Sequence, residues 1–248
     1  MRRLTMTGLA VACVGILGSG GAAEASMILS LSDGSTTASC DNSTAAGVTA
    51  CTTAGFLTSL NSNSILFNGL LGDPWADYDT SVTAAISNDP GFDFGKLNLT
   101  QLDLAKISGG ASTFTISATA FGFTLPTNTA TDGMLLSGSG SLSASNVVGF
   151  GGLVTVHSYA DPDNLGALLN GVSCLMTVST ANSCNEPGIN WTNSTADYSM
   201  STVIEAGLAN GQSVNITSSQ VVTAVPEPGT LLLLGGGLTA LARRRRRS

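Results

Sequence analysis

Between residues 26 and 225 the chain contains no arginine and only two lysines, Lys96 and Lys106, against 14 acidic side chains, a net charge of −12. A surface of that sign repels phosphate backbones, which excludes nucleic acid as a partner. Histidine occurs once, at His157, and no C-x-x-C pair is present. A structural zinc site of the usual kind is therefore ruled out. No stretch of consecutive apolar residues reaches the 18 or more of a standard membrane-spanning helix. G-x-S-x-G, H-E-x-x-H, phosphate-binding glycine loops and dinucleotide fingerprints are also missing, and with them the sequence signatures of the common hydrolases and nucleotide-dependent enzymes. Aromatic residues are few: 8 Phe, 2 Trp and 3 Tyr.

The basic residues that do exist are concentrated at the two ends. Arg2 and Arg3 precede an apolar core from Leu9 to Leu17 and the small-residue pattern Ala23-Glu24-Ala25. That order is a secretory signal peptide, with cleavage expected after Ala25, and it directs the following chain into an oxidising compartment. At the other end, Val225-Pro226-Glu227-Pro228 leads into an uncharged stretch from Thr230 to Ala242 and then Arg243, Arg244, Arg245, Arg246 and Arg247. The 13 residues from 230 to 242 would extend about 20 Å as a helix, short of the roughly 30 Å hydrocarbon core. The arginines fix the direction, because basic residues stay on the cytoplasmic side. Two prolines fix φ and remove N–H groups, so residues 226–228 present an extended peptide with one carboxylate between them.

Motif, apolar run and basic stop, in that order, resemble the PEP-CTERM sorting signal of Gram-negative bacteria, whose tail also carries the name of an ice-binding-protein C-terminal domain. The resemblance covers residues 226–248. It implies recognition by an exosortase, a membrane-embedded processing enzyme with a cysteine nucleophile. Pro226, Glu227 and Pro228 would be the recognised tripeptide, Thr230 to Ala242 the transmembrane segment, and Arg243 to Arg247 the stop. It implies an inner-membrane intermediate followed by delivery to the cell envelope or the extracellular matrix, with exopolysaccharide as a partner there.

The intervening 200 residues form one unit by length. Their periodicity is two. In residues 113–126, Phe114, Ile116, Ala118 and Ala120 alternate with Thr and Ser, and the phase then flips to Phe121, Phe123 and Leu125, which predicts a β-bulge near Ala120. Residues 133–145, 146–158, 171–180 and 213–225 read likewise as strands. Residues 51–62 and 161–170 carry weak helical signals, the latter with Pro162 at a helix start. The expected architecture is mainly β: an antiparallel β-sandwich or jelly-roll-like domain, flanked by the signal helix and the short C-terminal helix.

With Cys13 removed in the signal peptide, Cys40, Cys51, Cys174 and Cys184 remain; their spacing favours Cys40–Cys51 and Cys174–Cys184 among three connectivities. Acidic groups occur at Asp73, Asp77 and Asp79, at Asp89 and Asp93, and at Asp161 and Asp163 with Asn164. Clustered loop oxygens suit calcium, yet none matches the twelve-residue calcium loop, and Asp-Pro is also turn chemistry. No cofactor is expected beyond that calcium alternative. His157 reads as an ordinary strand residue. Trp75, Tyr78 and Trp191 are candidates to stack on sugar rings. Asn42, Asn98, Asn190, Asn193 and Asn215 open N-x-S/T triplets, to which composition alone gives rise. These features point to an exported, non-catalytic envelope or matrix protein. The alternatives are a secreted glycosidase-like hydrolase, which requires two convergent carboxyl groups in a cleft, and a calcium- or carbohydrate-binding module.

Overall fold

The computed structural model describes residues 26–68, 74–80, 82–87, 94–109, 112–124, 133–145, 152–178, 181–186, 188–192 and 197–225. Residues 1–25, read as a signal peptide, the sorting segment with Pro226–Pro228 and Arg243–Arg247, Asn193, and the acids Asp73, Asp89 and Asp93 lie outside these residues. The elements in chain order are β1 (Met27–Ser32), β2 (Thr37–Asp41), α1 (Ala45–Thr53), β3 (Phe56–Leu57), β4 (Ser64–Asn68), β5 (Tyr78–Thr80), β6 (Val82–Ser87) and β7 (Phe94–Lys106). There follow β8 (Ser112–Phe123), β9 (Met134–Ser145), β10 (Leu153–Asp161), β11 (Val172–Thr177), β12 (Asn182–Asn185), β13 (Ile189–Trp191), β14 (Tyr198–Leu208) and β15 (Ser213–Ala224).

Alternation decides the architecture. Inward positions such as Phe114, Ile116, Ala118 and Ala120 on β8, or Val214, Ile216 and Val222 on β15, are apolar and buried, while the residues between them face outward. A strand with one apolar face needs a second sheet to cover it. The result is a sandwich of two antiparallel sheets, one of six strands in the order β11-β10-β14-β8-β1-β2, the other of nine with the path β12-β9-β15-β7-β6-β4-β3. Strand β13 adds to β9, and β5 to β7. From β7 onward the chain passes repeatedly between the sheets, so β14 and β15, consecutive in sequence, lie within different sheets. Gln220 of β15 and Thr202 of β14 hydrogen-bond at 3.0 Å in the buried interior.

Strand β9 shows how closely the sheets approach. In Ser137-Gly138-Ser139-Gly140-Ser141 the serines face outward and the glycines inward. A Cβ at Gly138 would collide with Glu186 Oε2 and Ser158 Oγ, and one at Gly140 would meet Val156 Cγ2 and Met176 Cε at 3.0 Å. Side chains from the opposite sheet fill the space that β9 leaves.

The expected bulge is present. Phe123 pairs with Tyr198 and Ala120 with Met200, so β8 carries one extra residue there. Gly122 absorbs it with φ +79, a conformation glycine reaches without steric cost. Phe123 is buried and stacks on Tyr198, whereas Phe121 is only half-buried.

Two expectations about helices change. The helix lies earlier than residues 51–62 and shares only 51–53 with them: Thr44 caps it, its hydroxyl accepting from Gly47 N at 3.0 Å, and Gly55 at φ +84 follows its end. Residues 161–170 form no helix. Asp161 accepts from the N–H groups of Asp163, Leu165 and Ala167 at 3.0, 2.9 and 2.9 Å, and Asn164, Gly166 and Asn170 take positive φ. A side chain that captures the backbone donors, with left-handed residues among them, removes what a helix requires. No helix among the described residues is long and apolar enough to cross a membrane.

Both disulfides form as the spacing favours, Cys40–Cys51 and Cys174–Cys184. They sit at opposite edges of the sandwich. Cys174 on β11 joins the edge of the six-stranded sheet to Cys184 on β12, the edge of the nine-stranded sheet. At the other edge Cys40 on β2 holds α1, which leads to β3. Cys51 is the only buried residue of α1, so the helix has no apolar stripe to hold it and depends on this bond. With sequence separations of 11 and 10, each bridge should contribute about 2–3 kcal/mol by restricting the unfolded chain. The Cys174→Ser/Cys184→Ser variant is expected to lose that amount in reversible urea unfolding; an unchanged midpoint would show that the edges hold without the bond.

Candidate functional site

The outward face of the nine-stranded sheet is built by the same alternation that builds the core. Register aligns Ser183 of β12 with Ser141 of β9 and Thr217 of β15; in the next row it aligns Asn185, Ser139, Ser219 and Asn98 of β7. A further row runs Ser143, Asn215, Asp103. Hydroxyls and amides from four strands that are distant in sequence thus form one surface. The strand bulge between Leu99 and Leu102 of β7 opposite Thr217 bends this surface.

Two depressions mark it. One, of about 530 Å³, is lined by Lys96, Asn98, Thr100, Ser139, Gly140, Ser141, Ser183, Asn185, Thr217, Ser218 and Ser219. The other, of about 400 Å³, lies further along and is walled by Asp79, Asp103, Ser143, Ser213 and Asn215 with the adjoining backbone. Within them Ser141 Oγ and Thr217 Oγ1 are 2.6 Å apart, Ser139 Oγ donates to Ser219 O at 3.5 Å, and Asn215 Nδ2 donates to Asp103 Oδ1 at 2.6 Å. Asn98 Oδ1 is buried without a hydrogen-bond partner. An acceptor left in that state is costly unless a ligand or water donates to it. Chemically the surface offers many short donors and acceptors, little charge and no exposed aromatic ring among its lining residues, a set suited to polyhydroxylated neutral molecules.

The aromatics proposed for sugar stacking are elsewhere. Trp75, Tyr78 and Trp191 are 3%, 1% and 5% exposed, so they belong to the core. Trp75 and Tyr78 both pack on Phe114 at 4.9 and 5.0 Å, and Trp191 packs on Tyr198 at 5.4 Å. Trp75 Nε1 donates to Thr36 O and the Tyr78 hydroxyl to Ser112 O. The Lys106 ammonium, also buried, lies 4.1 Å over the Tyr78 ring and donates to Ser112 Oγ at 2.9 Å.

The acids are likewise dispersed. Asp77 accepts from Ser108 Oγ at 2.7 Å, and Asp79 stands exposed on β5. These lie at the end of the sandwich where β7 finishes, whereas Asp161 and Asp163 lie at the opposite end, where β10 finishes. Both oxygens of Asp161 are occupied by backbone N–H groups, which makes it the organiser of its loop. Among the described residues no three of His, Cys, Asp or Glu gather to hold a metal. His157 is in the middle of β10, on the outer face of the six-stranded sheet, 3.8 Å from Glu205. Ser173 stands directly across from it on β11, with no hydrogen bond between the two.

One titratable group is missed by sequence reasoning. Glu186, just past β12, turns inward over Gly138 and Ser158 and is 6% exposed. Burial pushes its carboxyl up to about 7, opposed in part by the Ser158 hydroxyl. The two groups adjoin, yet neither Glu186 oxygen meets hydrogen-bond geometry, so burial prevails. Only the glycine alternation of β9 could have hinted at a side chain filling that space.

The family model described as the PEP-CTERM protein-sorting motif matches residues 224–247. No curated protein matches the chain. Among solved structures, the chain is similar to a family 61 carbohydrate-binding module crystallised with β-1,4-galactotriose, at 10% identity over 64% of this chain and 81% of that one, with a TM-score of 0.24. It is also similar to a structure from a study of promiscuous carbohydrate-binding modules of the β-sandwich superfamily, at 10% identity, 81% and 85% coverage and a TM-score of 0.24. Scores of that size do not establish a common fold, and the sandwich stands on its own strand pairing.

The raised Glu186 carboxyl makes stability depend on pH. Its folded value, about 7, exceeds the ordinary 4.5, so the native state holds the proton more tightly than the unfolded chain. Stability from this group is therefore full at or below pH 4.5, declines as pH rises to 7, and is absent above it. The difference is on the order of 3 kcal/mol. Glu186→Gln should raise the unfolding midpoint at pH 8 and leave it nearly unchanged at pH 4.5; equal effects at the two pH values would show that the carboxyl does not titrate in this range.

Proposed function

We propose that the protein is an exported, non-catalytic component of the cell envelope or extracellular matrix, delivered by its C-terminal sorting segment and contacting neutral exopolysaccharide through the polar face of the nine-stranded sheet, without a cofactor. The observation that carries the delivery is the match of residues 224–247 to the sorting motif. In this reading Pro226, Glu227 and Pro228 are recognised by an exosortase while residues 230–242 lie in the inner membrane and Arg243–Arg247 remain on its cytoplasmic side. The two disulfides fit an oxidising destination.

The polar face supports the ligand class. Rows of hydroxyls and amides match the hydroxyls of a sugar chain, and the net charge of −12 over residues 26–225 disfavours uronate or sulfated polymers. Each hydrogen bond nets only about 1 kcal/mol, and without a ring to stack on a sugar the affinity of one site is low, on the order of 1 mM. Many copies along a polymer compensate for weak single contacts. Catalysis is disfavoured by the disposition of the acids. A glycosidase needs two carboxyl groups flanking one bond; Asp79 and Asp103 share the smaller depression, but Asn215 donates to Asp103 there, and Glu186 faces the interior rather than the groove.

Intact-mass analysis of the surface protein is expected to lack residues 1–25 and to end near Pro226–Pro228, and Glu227→Ala should leave the tail uncleaved. Surface material that retains Arg243–Arg247 would leave a plain tail anchor. In native affinity gels a soluble neutral β-glucan or galactan should retard the protein and alginate should not. Asn98→Ala/Thr217→Ala should abolish that retardation; retardation by alginate alone would reverse the assigned ligand class.

A further inference from the structure

The loop from Asp161 to Asn170 exposes three leucines, Leu165, Leu168 and Leu169, at 77%, 54% and 47%. It is held rigidly while doing so. Beyond the three donors that Asp161 collects, Asn164 Oδ1 accepts from Gly122 N at 3.0 Å, Ser199 Oγ accepts from Gly166 N at 3.0 Å, and Asn170 Nδ2 donates to Ala160 O at 3.1 Å. Clustered apolar side chains on a fixed loop mark an interaction surface.

The position of the loop identifies what it meets. Gly122 and Ser199 lie where β8 ends and β14 begins, beside the Phe123–Tyr198 stack. Tyr198 touches Trp191, Trp191 pairs with Met134, and Met134 pairs with Ala224, the last residue of β15. Phe94, 40% exposed, pairs with Thr223 at the same place. The leucine loop and the exit of the chain toward the sorting segment therefore share one end of the sandwich. Four residues, 226–229, separate Val225 from the uncharged run beginning at Thr230. Fully extended, that connection spans at most roughly 18 Å. With residues 230–242 inserted, this end of the domain is held close to the bilayer surface, and the leucines are among its apolar protrusions.

We propose that residues 161–170 are a membrane-contacting loop: while the tail is inserted, Leu165, Leu168 and Leu169 enter the headgroup–acyl boundary and fix the domain end-on to the bilayer. The inference rests on the proposed insertion of residues 230–242. Asp163, exposed on the same loop, and the acidic body favour a zwitterionic over an anionic lipid surface. Processing then cuts the tether, and three leucines alone give a contact that reverses readily.

The test uses the full chain bearing Leu168→Trp in phosphatidylcholine vesicles, with wild-type emission subtracted to remove Trp75 and Trp191. The chain should float with the vesicles, and the added indole should be quenched at least two-fold by lipids brominated near the headgroup, and less by lipids brominated at mid-chain. Leu175→Trp, 60% exposed on β11 and opposite Thr155, six residues along β10 from Asp161, should stay unquenched. Flotation without quenching at position 168 overturns the loop proposal alone and leaves a protein partner for the leucines. Equal quenching at 168 and 175 overturns the end-on orientation. A chain that does not float overturns the insertion reading and the loop proposal together.

Discussion

The bond between Cys174 and Cys184 joins two strands that have little else to hold them. Strand β12 is four residues long, half exposed, and paired on one side only, to β9. Strand β11 is the outermost of its sheet and equally one-sided. A covalent tie across the sandwich edge makes each the support of the other. Both surfaces considered above lean on it: β12 supplies Ser183 and Asn185 to the polar groove, and β11 is the return strand of the hairpin that displays the leucine loop. The same tie positions Glu186, two residues past Cys184, in the narrow space over Gly138. An edge closed in this way also presents fewer free backbone groups to a neighbouring molecule.

Strands β8, β9, β10, β11 and β15 and the two bridges were legible because they leave local marks, whereas the short strands before residue 107 were not read. Phase flips, Ser/Gly alternation and cysteine spacing are all readable within a dozen residues, and the bulge fell at residues 121–122, beside the position where the phase changed. Strand β14, central to its sheet, was less visible: residues 198–202 are buried on both sides of the strand, so alternation disappears where burial is greatest. Trp75, Tyr78 and Trp191 were misread for a related reason. They lie on or beside strands of three residues, too short for a pattern to say which face is interior.

The polar groove was illegible for a different reason. Its residues come from positions 96–100, 139–141, 183–185 and 217–219, and only pairing register brings them into rows. A one-residue slip would turn every hydroxyl inward, and no local feature of the sequence reports which register is adopted. The loop at 161–170 failed as a helix because a single buried carboxylate, Asp161, outcompetes the helical hydrogen bonds, an effect that propensity does not capture.

Strand β15 lies between β9 and β7 in the interior of the larger sheet, and its last residue is Ala224. The segment that completes that sheet is therefore the one immediately preceding the sorting signal. Without it β7 and β9 have no partner between them, and the polar surface they share does not exist. The last strand in the chain is thus an interior one, and on the proposed export route the larger sheet is completed only by the residues that adjoin the sorting motif.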